Sequence, residues 1–225
     1  MTARTADAAK TRYEVIVIGA GVAGIYQIKR LADLGVDATL LEMDPDLGGT
    51  WQNNRYPGCR FDSESYTYGY SFSKELLEEW HWKERYSPQP ENLRYLQYVA
   101  DKFDMRRHMQ FNCRVEAAHF DDAENVWRLR ISDGRTLVAR FLVMGLGLLS
   151  MPTLPRIPGI EDFKGPAFHT FHWPHEPVDL KGKRVAVIGT GATAIQAIPE
   201  IAKEAAELVV FQRRANWCAP LNNSK

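Results

Sequence analysis

A glycine-rich turn between a strand-like and a helix-like segment constrains the fold of this chain more than any other feature. Residues 14–18 predict a β-branched strand, 19–24 read Gly-Ala-Gly-Val-Ala-Gly, and 22–34 have the apolar spacing of a helix. Gly35 is placed to end that helix, and 37–41 predict a second strand. This order of elements is that of a βαβ unit, and its turn is typical of dinucleotide-binding sheets.

Each glycine of this turn has its own physical role. Gly19 makes the tight turn, Gly21 lets the backbone approach a pyrophosphate, and Gly24 lets the helix pack closely on the strand. The N-terminus of the helix then faces the anion. Glu42 ends the second strand, where a carboxylate accepts hydrogen bonds from ribose hydroxyls. The alternative is a glycine turn in another kind of α/β protein, with Glu42 in solvent.

The same pattern returns near the end of the chain. Residues 184–188 predict a strand, 195–205 a helix and 208–212 a second strand. The intervening turn reads Gly189-Thr190-Gly191-Ala192-Thr193-Ala194, and alanine in place of the third glycine is a variant that the dinucleotide motif accepts. A second dinucleotide-binding unit is therefore expected.

The two units differ in the charge that follows their second strand. Gln212 stands where the first unit has Glu42, and it is followed by Arg213 and Arg214. Two arginines suit the 2′-phosphate of NADP, which carries a charge of roughly −1.5 to −2. An acid in the first unit and arginines in the second favour a flavin, FAD, that is reduced by NADPH. The alternative is that both arginines are solvated surface charges.

The fold class that these patterns predict is α/β, with two Rossmann-like dinucleotide-binding domains. We expect a disordered leader at 1–12, an FAD-binding domain at 13–150 that is complete or nearly so, a linker at 151–183, and the start of an NADP-binding domain at 184–225. The second sheet stops after two strands, so that domain is expected to be truncated and the chain a fragment. A natural short protein would leave apolar sheet faces uncovered unless a partner covered them.

Other segments of the chain carry weaker signals of local structure. Residues 48–69 are rich in Gly, Asn, Tyr and Pro and predict a long functional loop. A helix is expected at 94–103 and a strand at 111–115. Strands at 127–131 and 136–143 flank Ser-Asp-Gly-Arg, which predicts a hairpin.

Composition excludes several classes of partner. Lys plus Arg and Asp plus Glu number 28 each, so net charge directs the protein neither to nucleic acid nor to an anionic membrane. The longest apolar stretch is too short to span a bilayer, which makes a cytoplasmic location the expectation. The three cysteines, Cys59, Cys113 and Cys218, form no CxxC or metal-ligand spacing. We therefore expect no metal site and no disulfide framework, and a disulfide reductase is disfavoured.

Residues 163–174 carry a resemblance to a known family. They read Phe-Lys-Gly-Pro-Ala-Phe-His-Thr-Phe-His-Trp-Pro and match the pattern FxGxxxHxxxWP. With this pattern just before its second glycine turn, the chain resembles the Baeyer-Villiger monooxygenases over nearly its whole length. The N- and S-oxygenating flavin monooxygenases have a similar segment without Trp-Pro. The resemblance makes His169 and Trp173 candidate catalytic residues, which we expect to couple the two domains rather than to transfer protons.

The resemblance also implies further cofactor contacts. Gly49, Thr50 and Trp51 match the loop that contacts the flavin, Asp62 matches an aspartate near the isoalloxazine ring, and Tyr68 matches an aromatic residue that contacts FAD. The backbone of Val115 is expected at the adenine. Predicted cofactor contacts elsewhere are Arg60, Gly189, Thr190, Gly191, Ala192, Thr193, Gln196, Arg213 and Arg214.

The implied function is an FAD- and NADPH-dependent monooxygenase. In the family, NADPH reduces FAD, O₂ gives a C4a-peroxyflavin, and its attack on a small ketone yields an ester or lactone. The arginine that Asp62 is expected to orient lies outside these residues, so we expect the chain alone to be inactive on ketones and the missing C-terminal part to be its partner. The alternatives are an N- or S-oxygenating flavin monooxygenase, or a non-catalytic nucleotide-binding module.

Overall fold

The computed structural model describes residues 10–220 and 222–223. Most of the expected leader, residues 1–9, lies outside them. The chain divides into two compact units. One comprises the chain up to Gln52 together with Leu93–Ser150, and the other comprises Asn53–Asn92 together with the chain from Met151. Residues 53–92, which were predicted in the FAD-binding domain, thus group with the second unit, and the domain boundaries stay a prediction.

The first unit is built on a mixed six-stranded sheet. The strands are β1 (Arg12–Ile18), β2 (Ala38–Leu41), β3 (Met109–Gln110), β4 (Val115–Asp121), β5 (Val126–Ile131) and β6 (Thr136–Met144). Their order is β3-β2-β1-β6-β5-β4, in which β3, β2, β1 and β6 are parallel, β5 pairs antiparallel with β6, and β4 pairs antiparallel with β5. The parallel part confirms the Rossmann-like fold class for this unit.

Helix α1 (Val22–Asp33) connects β1 to β2, as predicted. Val15, Ile16 and Val17 of β1 are buried, and α1 buries Ile25 and Ile28. The helix ends at Asp33, and Gly35, two residues later, has a φ of +68° and donates its N–H to the carbonyl of Ala32. Glycine adopts this left-handed conformation more readily than other residues, and the predicted end of the helix just before Gly35 is confirmed.

The predicted hairpin is also confirmed. β5 and β6 pair antiparallel with Leu129 opposite Leu137, and both side chains are fully buried. In the turn, Gly134 has a φ of +90° and the amide of Ile131 donates to the carbonyl of Arg135 at 2.9 Å. The Asp-Gly pair was sufficient to predict the hairpin, because the turn needs a residue with a left-handed φ at the position of the glycine.

The strand predicted at 111–115 is wrong. β3 ends at Gln110 and β4 begins at Val115, and the residues between them form a bend. Asn112 has a φ of +56°, and the amide of Cys113 donates to the carbonyl of Glu42 at 2.8 Å. A left-handed residue cannot continue a strand, and asparagine tolerates that conformation better than most residues.

Helices also differ from their predicted bounds. α5 (Gln89–Lys102) begins before residue 94, because Pro90 lies in its first turn, where the missing N–H is not needed. The loop predicted at 48–69 contains two single-turn helices, α2 (Thr50–Asn53) and α3 (Ser65–Tyr68), which are too short to show an apolar period. α4 (Lys74–Glu79) was not predicted, although Ser73 caps it by accepting from the amide of Leu76.

The second unit contains the second βαβ pattern. β7 (Arg184–Ile188) and β8 (Glu207–Phe211) pair in parallel, joined by α6 (Ala192–Ala202). The helix begins three residues earlier than predicted, because Gly191 is already its N-cap. Side chains on the two strands, among them Ile188 and Phe211, are more than half exposed. Apolar sheet faces are therefore uncovered here, as expected of a two-stranded sheet.

Within residues 10–220 and 222–223, no helix is long and apolar enough to cross a membrane. Cys59 and Cys113 are buried free thiols, and Cys218 is exposed.

Candidate functional site

The glycine turn of the first unit is shaped by contacts within the protein at two of its three glycines. Gly19 has a φ of +98° and donates its N–H to the carbonyl of Leu41 at 2.8 Å. A Cβ on Gly19 would lie 2.6 Å from the carbonyl oxygen of Gly145, and one on Gly24 would lie 1.8 Å from the carbonyl oxygen of Gly19. The fold itself therefore requires glycine at positions 19 and 24.

Gly21 is different, because nothing in the protein excludes a side chain there. A Cβ on Gly21 would meet nothing closer than the Cα of Gly49, at 3.7 Å, which is an ordinary contact. Gly21 is the N-cap of α1 and has no side chain with which to cap it, and the first turn of the helix holds no acidic residue. The helix N-terminus thus carries a partial positive charge beside an open glycine. This arrangement fits the pyrophosphate of a dinucleotide.

The loop that contains Gly48 and Gly49 lies against this turn. The amide of Gly48 donates to the carbonyl of Ala20 at 2.9 Å, and Gly49 has a φ of +53°. A Cβ on Gly49 would lie only 2.8 Å from the Cα of Gly21. Thr50 and the buried Trp51 follow at the start of α2. The structure therefore brings the predicted residue Gly49 to the glycine turn, and Thr50 and Trp51 follow it directly in the chain.

Glu42 bonds to the glycine turn from the end of β2. Its buried carboxylate accepts from the amide of Ala20 at 2.6 Å and from the amide of Asp44 at 3.0 Å. Burial raises the pKa of this carboxyl group above its ordinary value, although both amides lower it. Val115, the predicted adenine contact, begins β4 two residues after Cys113, whose amide binds the carbonyl of Glu42. Glu42 thus has main-chain partners that the sequence did not indicate.

Asp46 and Arg106 are further site-shaping residues that the sequence did not reveal. The carboxylate of Asp46 accepts from Arg106 at 2.7 Å and from Gln97 at 2.8 Å, just before the Gly48-Gly49 loop. Burial alone would raise the pKa of Asp46, but the hydrogen bond and charge of Arg106 lower it below its ordinary value. An acidic residue two positions before a Gly-Gly pair is only a weak sequence signal of a role at the site. Nothing in the sequence around Arg106 indicated that it would bind Asp46.

The turn of the second unit repeats this geometry. Gly189 has a φ of +105° and donates its N–H to the carbonyl of Phe211 at 2.9 Å, the bond that Gly19 makes to Leu41. A Cβ on Gly191 would have no neighbour within 4 Å. α6 begins at Ala192 with no side-chain cap and no acidic residue in its first turn. This turn also fits a pyrophosphate.

The predicted NADP contacts lie around that turn. The hydroxyl of Thr190 donates to the carbonyl of Arg214 at 3.2 Å, and Arg213 and Arg214 are both exposed just beyond β8. Thr193 follows Ala192 in the first turn of α6. Two cationic side chains thus stand at the strand end where a dinucleotide fold places the ribose.

Other predicted contacts of the second unit cluster near residue 60. The guanidinium of Arg60 donates to Glu84 at 3.0 Å and to the carbonyl of Tyr86 at 3.2 Å. The side-chain amide of Gln196 bonds to the main chain of Arg60. Asp62 is exposed, and the ring of Tyr68 lies 4.0 Å from that of Phe61.

His169 has a capping role in the segment that carries the family pattern. Its Nδ1 accepts from the amide of Phe171 at 3.0 Å and so caps a single 3₁₀ turn, Thr170–His172. The ring of Trp173 packs edge-on against that of Phe168 at 5.0 Å. Since Nδ1 is an acceptor, the neutral ring carries its proton on Nε2. Among the residues described, no cluster of side chains could hold a metal ion.

Known proteins resemble this chain over most of its length. The model of the flavin-binding monooxygenase-like family matches residues 12–222. A solved structure of OTEMO in complex with FAD and NADP is 47% identical, has a TM-score of 0.90, and is matched over 94% of this chain and 41% of its own.

Curated relatives include enzymes with different substrates. A Baeyer-Villiger monooxygenase of Pseudooceanicola batsensis is 46% identical over 94% of this chain, and an acetone monooxygenase (methyl acetate-forming) of Gordonia sp. is 44% identical over 95%. The phenazine N-monooxygenase PhzNO1 of Lysobacter antibioticus is also 44% identical over 95%. The chain spans 39% to 40% of the length of these relatives.

Proposed function

The chain belongs to the flavin-binding monooxygenase-like family, and from this premise we propose that it forms the FAD- and NADPH-binding part of a Baeyer-Villiger monooxygenase. The observation that carries the proposal is the pair of open glycines, Gly21 and Gly191, each the N-cap of a helix with no acidic residue in its first turn. In the first unit Glu42 comes directly after the second strand of the βαβ pattern, whereas in the second unit Arg213 and Arg214 come just after it. Two dinucleotides of different charge are thus accommodated.

The first unit is the proposed FAD site. The N-terminus of α1 beside Gly21 would hold the pyrophosphate, and Glu42 would accept from the ribose with the oxygen lone pairs that its two main-chain amides leave. Gly49 keeps the following loop close to Gly21. The named complex of OTEMO with FAD and NADP supports this assignment.

The second unit is the proposed NADPH site. The turn Gly189–Gly191 and the start of α6 would hold its pyrophosphate, while Arg213 and Arg214 would bind the 2′-phosphate. Each charge-assisted hydrogen bond to that phosphate contributes about 1.5–3 kcal/mol. Because NADH lacks the phosphate, NADPH is the proposed coenzyme.

The proposed reaction converts a small ketone, O₂, NADPH and a proton to an ester or lactone, water and NADP⁺. When bound, FAD would supply the reactivity toward O₂. NADPH would supply the two electrons that the reaction needs. The residues of this chain bind and orient both groups, and Asp62 is the proposed partner of a cation near the flavin ring. The relative that forms methyl acetate from acetone supports a ketone as the substrate. We place the protein in the cytoplasm as part of this proposal.

N-oxygenation is the second candidate function. The phenazine N-monooxygenase is as similar to this chain as the acetone monooxygenase is, so identity over these residues does not separate the two reactions. Trp173-Pro174 favours the Baeyer-Villiger reaction, because the resemblance links this ending to that family.

Two experiments test the proposed function. The first is titration of the purified chain with FAD, NADPH and NADH, followed by flavin and tryptophan fluorescence; we expect binding of FAD and at least tenfold preference for NADPH, about 1.4 kcal/mol. In the second, residues 12–222 replace the matching segment of the acetone monooxygenase of Gordonia sp., and the flavin-containing chimera is given acetone or phenazine. Methyl acetate supports the proposal, whereas phenazine N-oxide alone supports the second candidate. Absence of FAD binding in the first experiment contradicts both.

A further inference from the structure

A side chain of α6 is paired with the main chain of a distant turn in the same unit. Oε1 of Gln196 accepts from the amide of Arg60 at 3.2 Å, and Nε2 of Gln196 donates to the carbonyl of Arg60 at 3.1 Å. The two bonds resemble the pairing of two residues in a sheet. The hydroxyl of Tyr56 donates to the same Oε1 at 2.9 Å. One glutamine thus holds both ends of the turn 56–60.

The turn also lies directly on the backbone of the helix. Gly58 has a φ of +79°, and a Cβ on it would lie 2.3 Å from the carbonyl oxygen of Gln196. The amide of Cys59 donates to the carbonyl of Tyr56 at 3.2 Å. Tyr56 and Cys59 are both buried. We call Tyr56, Gly58, Cys59, Arg60 and Gln196 the Gln196 junction.

The junction is linked to the first turn of α6, where the dinucleotide is proposed to bind. The side chain of Thr193 interacts with the hydroxyl of Tyr56. Thr193 and Gln196 lie three residues apart, on one face of the helix. A ligand that orders the first turn of α6 therefore restrains the residues that hold the turn 56–60. That turn leads into Asp62 and carries Arg60, which is fixed at its other end by Glu84.

We propose that Gln196 is a positioning residue, through which a dinucleotide bound at the start of α6 fixes the turn 56–60 and so the placement of Arg60 and Asp62. The inference rests on the proposed NADPH site. It assigns the side chain of Gln196 to the protein main chain, where the sequence had predicted a cofactor contact.

Cys59 offers a direct probe of this junction. Burial raises the pKa of its thiol to about 11, so the closed junction should react slowly with thiol reagents. Buried Cys113 in the first unit is an internal reference, and exposed Cys218 should react fastest. The rate at each cysteine is measured by iodoacetamide labelling of the full chain and peptide mass spectrometry, with and without NADP⁺.

We expect Gln196→Ala to speed the labelling of Cys59 at least tenfold, with Cys113 unchanged. NADP⁺ should slow the labelling of Cys59 in the native chain and not in the variant, while the affinity for NADP⁺ changes less than threefold. Tyr56→Phe, which removes one hydrogen bond and keeps the ring, should give a smaller increase. Gln97→Ala is the matched control, because Gln97 bonds Asp46 in the first unit and should leave Cys59 unaffected.

Two results would overturn the proposal. One is unchanged labelling of Cys59 in both Gln196→Ala and Tyr56→Phe. The other is a large loss of NADP⁺ affinity in Gln196→Ala with Cys59 still protected, which would make Gln196 a cofactor ligand. Absence of NADP⁺ binding to the native chain would instead count against the proposed NADPH site, and it would also remove the ligand-dependent part of the inference.

Discussion

The carboxylate of Glu42 accepts a 2.6 Å hydrogen bond from the amide of Ala20, so the end of β2 is bonded to the turn that follows β1. A carboxylate buried in this position holds the glycine turn in shape before any ligand binds. It also makes the stability of the first unit depend on pH, because folding changes the pKa of Glu42.

The first prediction concerns that pH dependence. The pKa of Glu42 is raised by burial above its ordinary value of 4.5, so its contribution to stability is complete below that pH and is lost as pH rises through the folded-state pKa. Urea unfolding of the ligand-free chain between about pH 4 and pH 8 measures it. Relative to the native chain, Glu42→Gln should gain stability as pH rises. Glu14→Gln, an exposed change on β1, should run parallel to the native chain, and the same behaviour in Glu42→Gln would contradict the prediction.

The second prediction separates glycines that the fold needs from the glycine that a ligand needs. Gly21→Ala places a methyl 3.7 Å from its nearest neighbour, so the unfolding free energy should change by no more than about 0.5 kcal/mol. The affinity for FAD should nevertheless fall at least tenfold, about 1.4 kcal/mol. A Cβ in Gly24→Ala would lie 1.8 Å from the carbonyl oxygen of Gly19, so this change should lower the unfolding free energy by about 1–3 kcal/mol or more. Thermal unfolding and flavin fluorescence measure the two effects, and unchanged FAD binding by Gly21→Ala would refute the assignment of this glycine.

The third prediction tests the coenzyme preference. Replacing Arg213 and Arg214 by Ala should weaken NADPH binding at least tenfold, about 1.4 kcal/mol, and leave NADH binding nearly unchanged. Arg184→Ala is the matched control, because Arg184 is an exposed arginine at the opposite end of the same sheet, paired with Glu207 at 2.8 Å. Isothermal titration with each coenzyme gives the result. Equal losses for NADPH and NADH would mean that the two arginines are not phosphate ligands.

The fourth prediction distinguishes capping by His169 from proton transfer. His169→Ala removes the acceptor of the Phe171 amide, so hydrogen exchange at that amide should accelerate. If the cap stabilises the turn by roughly 1 kcal/mol or slightly more, the exchange rate should rise about tenfold. His169→Asn keeps a short side-chain acceptor and should retain most of the protection. In the full-length chimera, the Asn variant should likewise keep most of its oxygenating activity. Equal loss of activity in both variants would indicate that His169 transfers a proton.

Much of the fold was predictable because its signals are local. Gly19, Gly35, Gly134 and Gly189 all have left-handed φ angles, and each marks the end of a strand or helix, or a hairpin turn, without reference to the rest of the chain. Apolar periodicity gave the order of strands and helices on either side of them. The resemblance to the Baeyer-Villiger monooxygenases could be recognised for a related reason, since the pattern that carries it, at 163–174, is contiguous.

Contacts between distant residues were decided by the tertiary structure alone. Arg106 lies 60 residues from Asp46, and Gln196 lies 136 residues from Arg60, so no local pattern could pair them. The strand expected at 111–115 failed for the same reason: its β-forming residues are drawn into a bend by the bond from Cys113 to the carbonyl of Glu42. The sequence by itself determined which segments form the two βαβ units and where their turns fall, because periodicity and backbone sterics act over a few residues. Which side chains shape those turns was decided only in the folded chain, because hydrogen bonds and burial depend on neighbours that folding brings together.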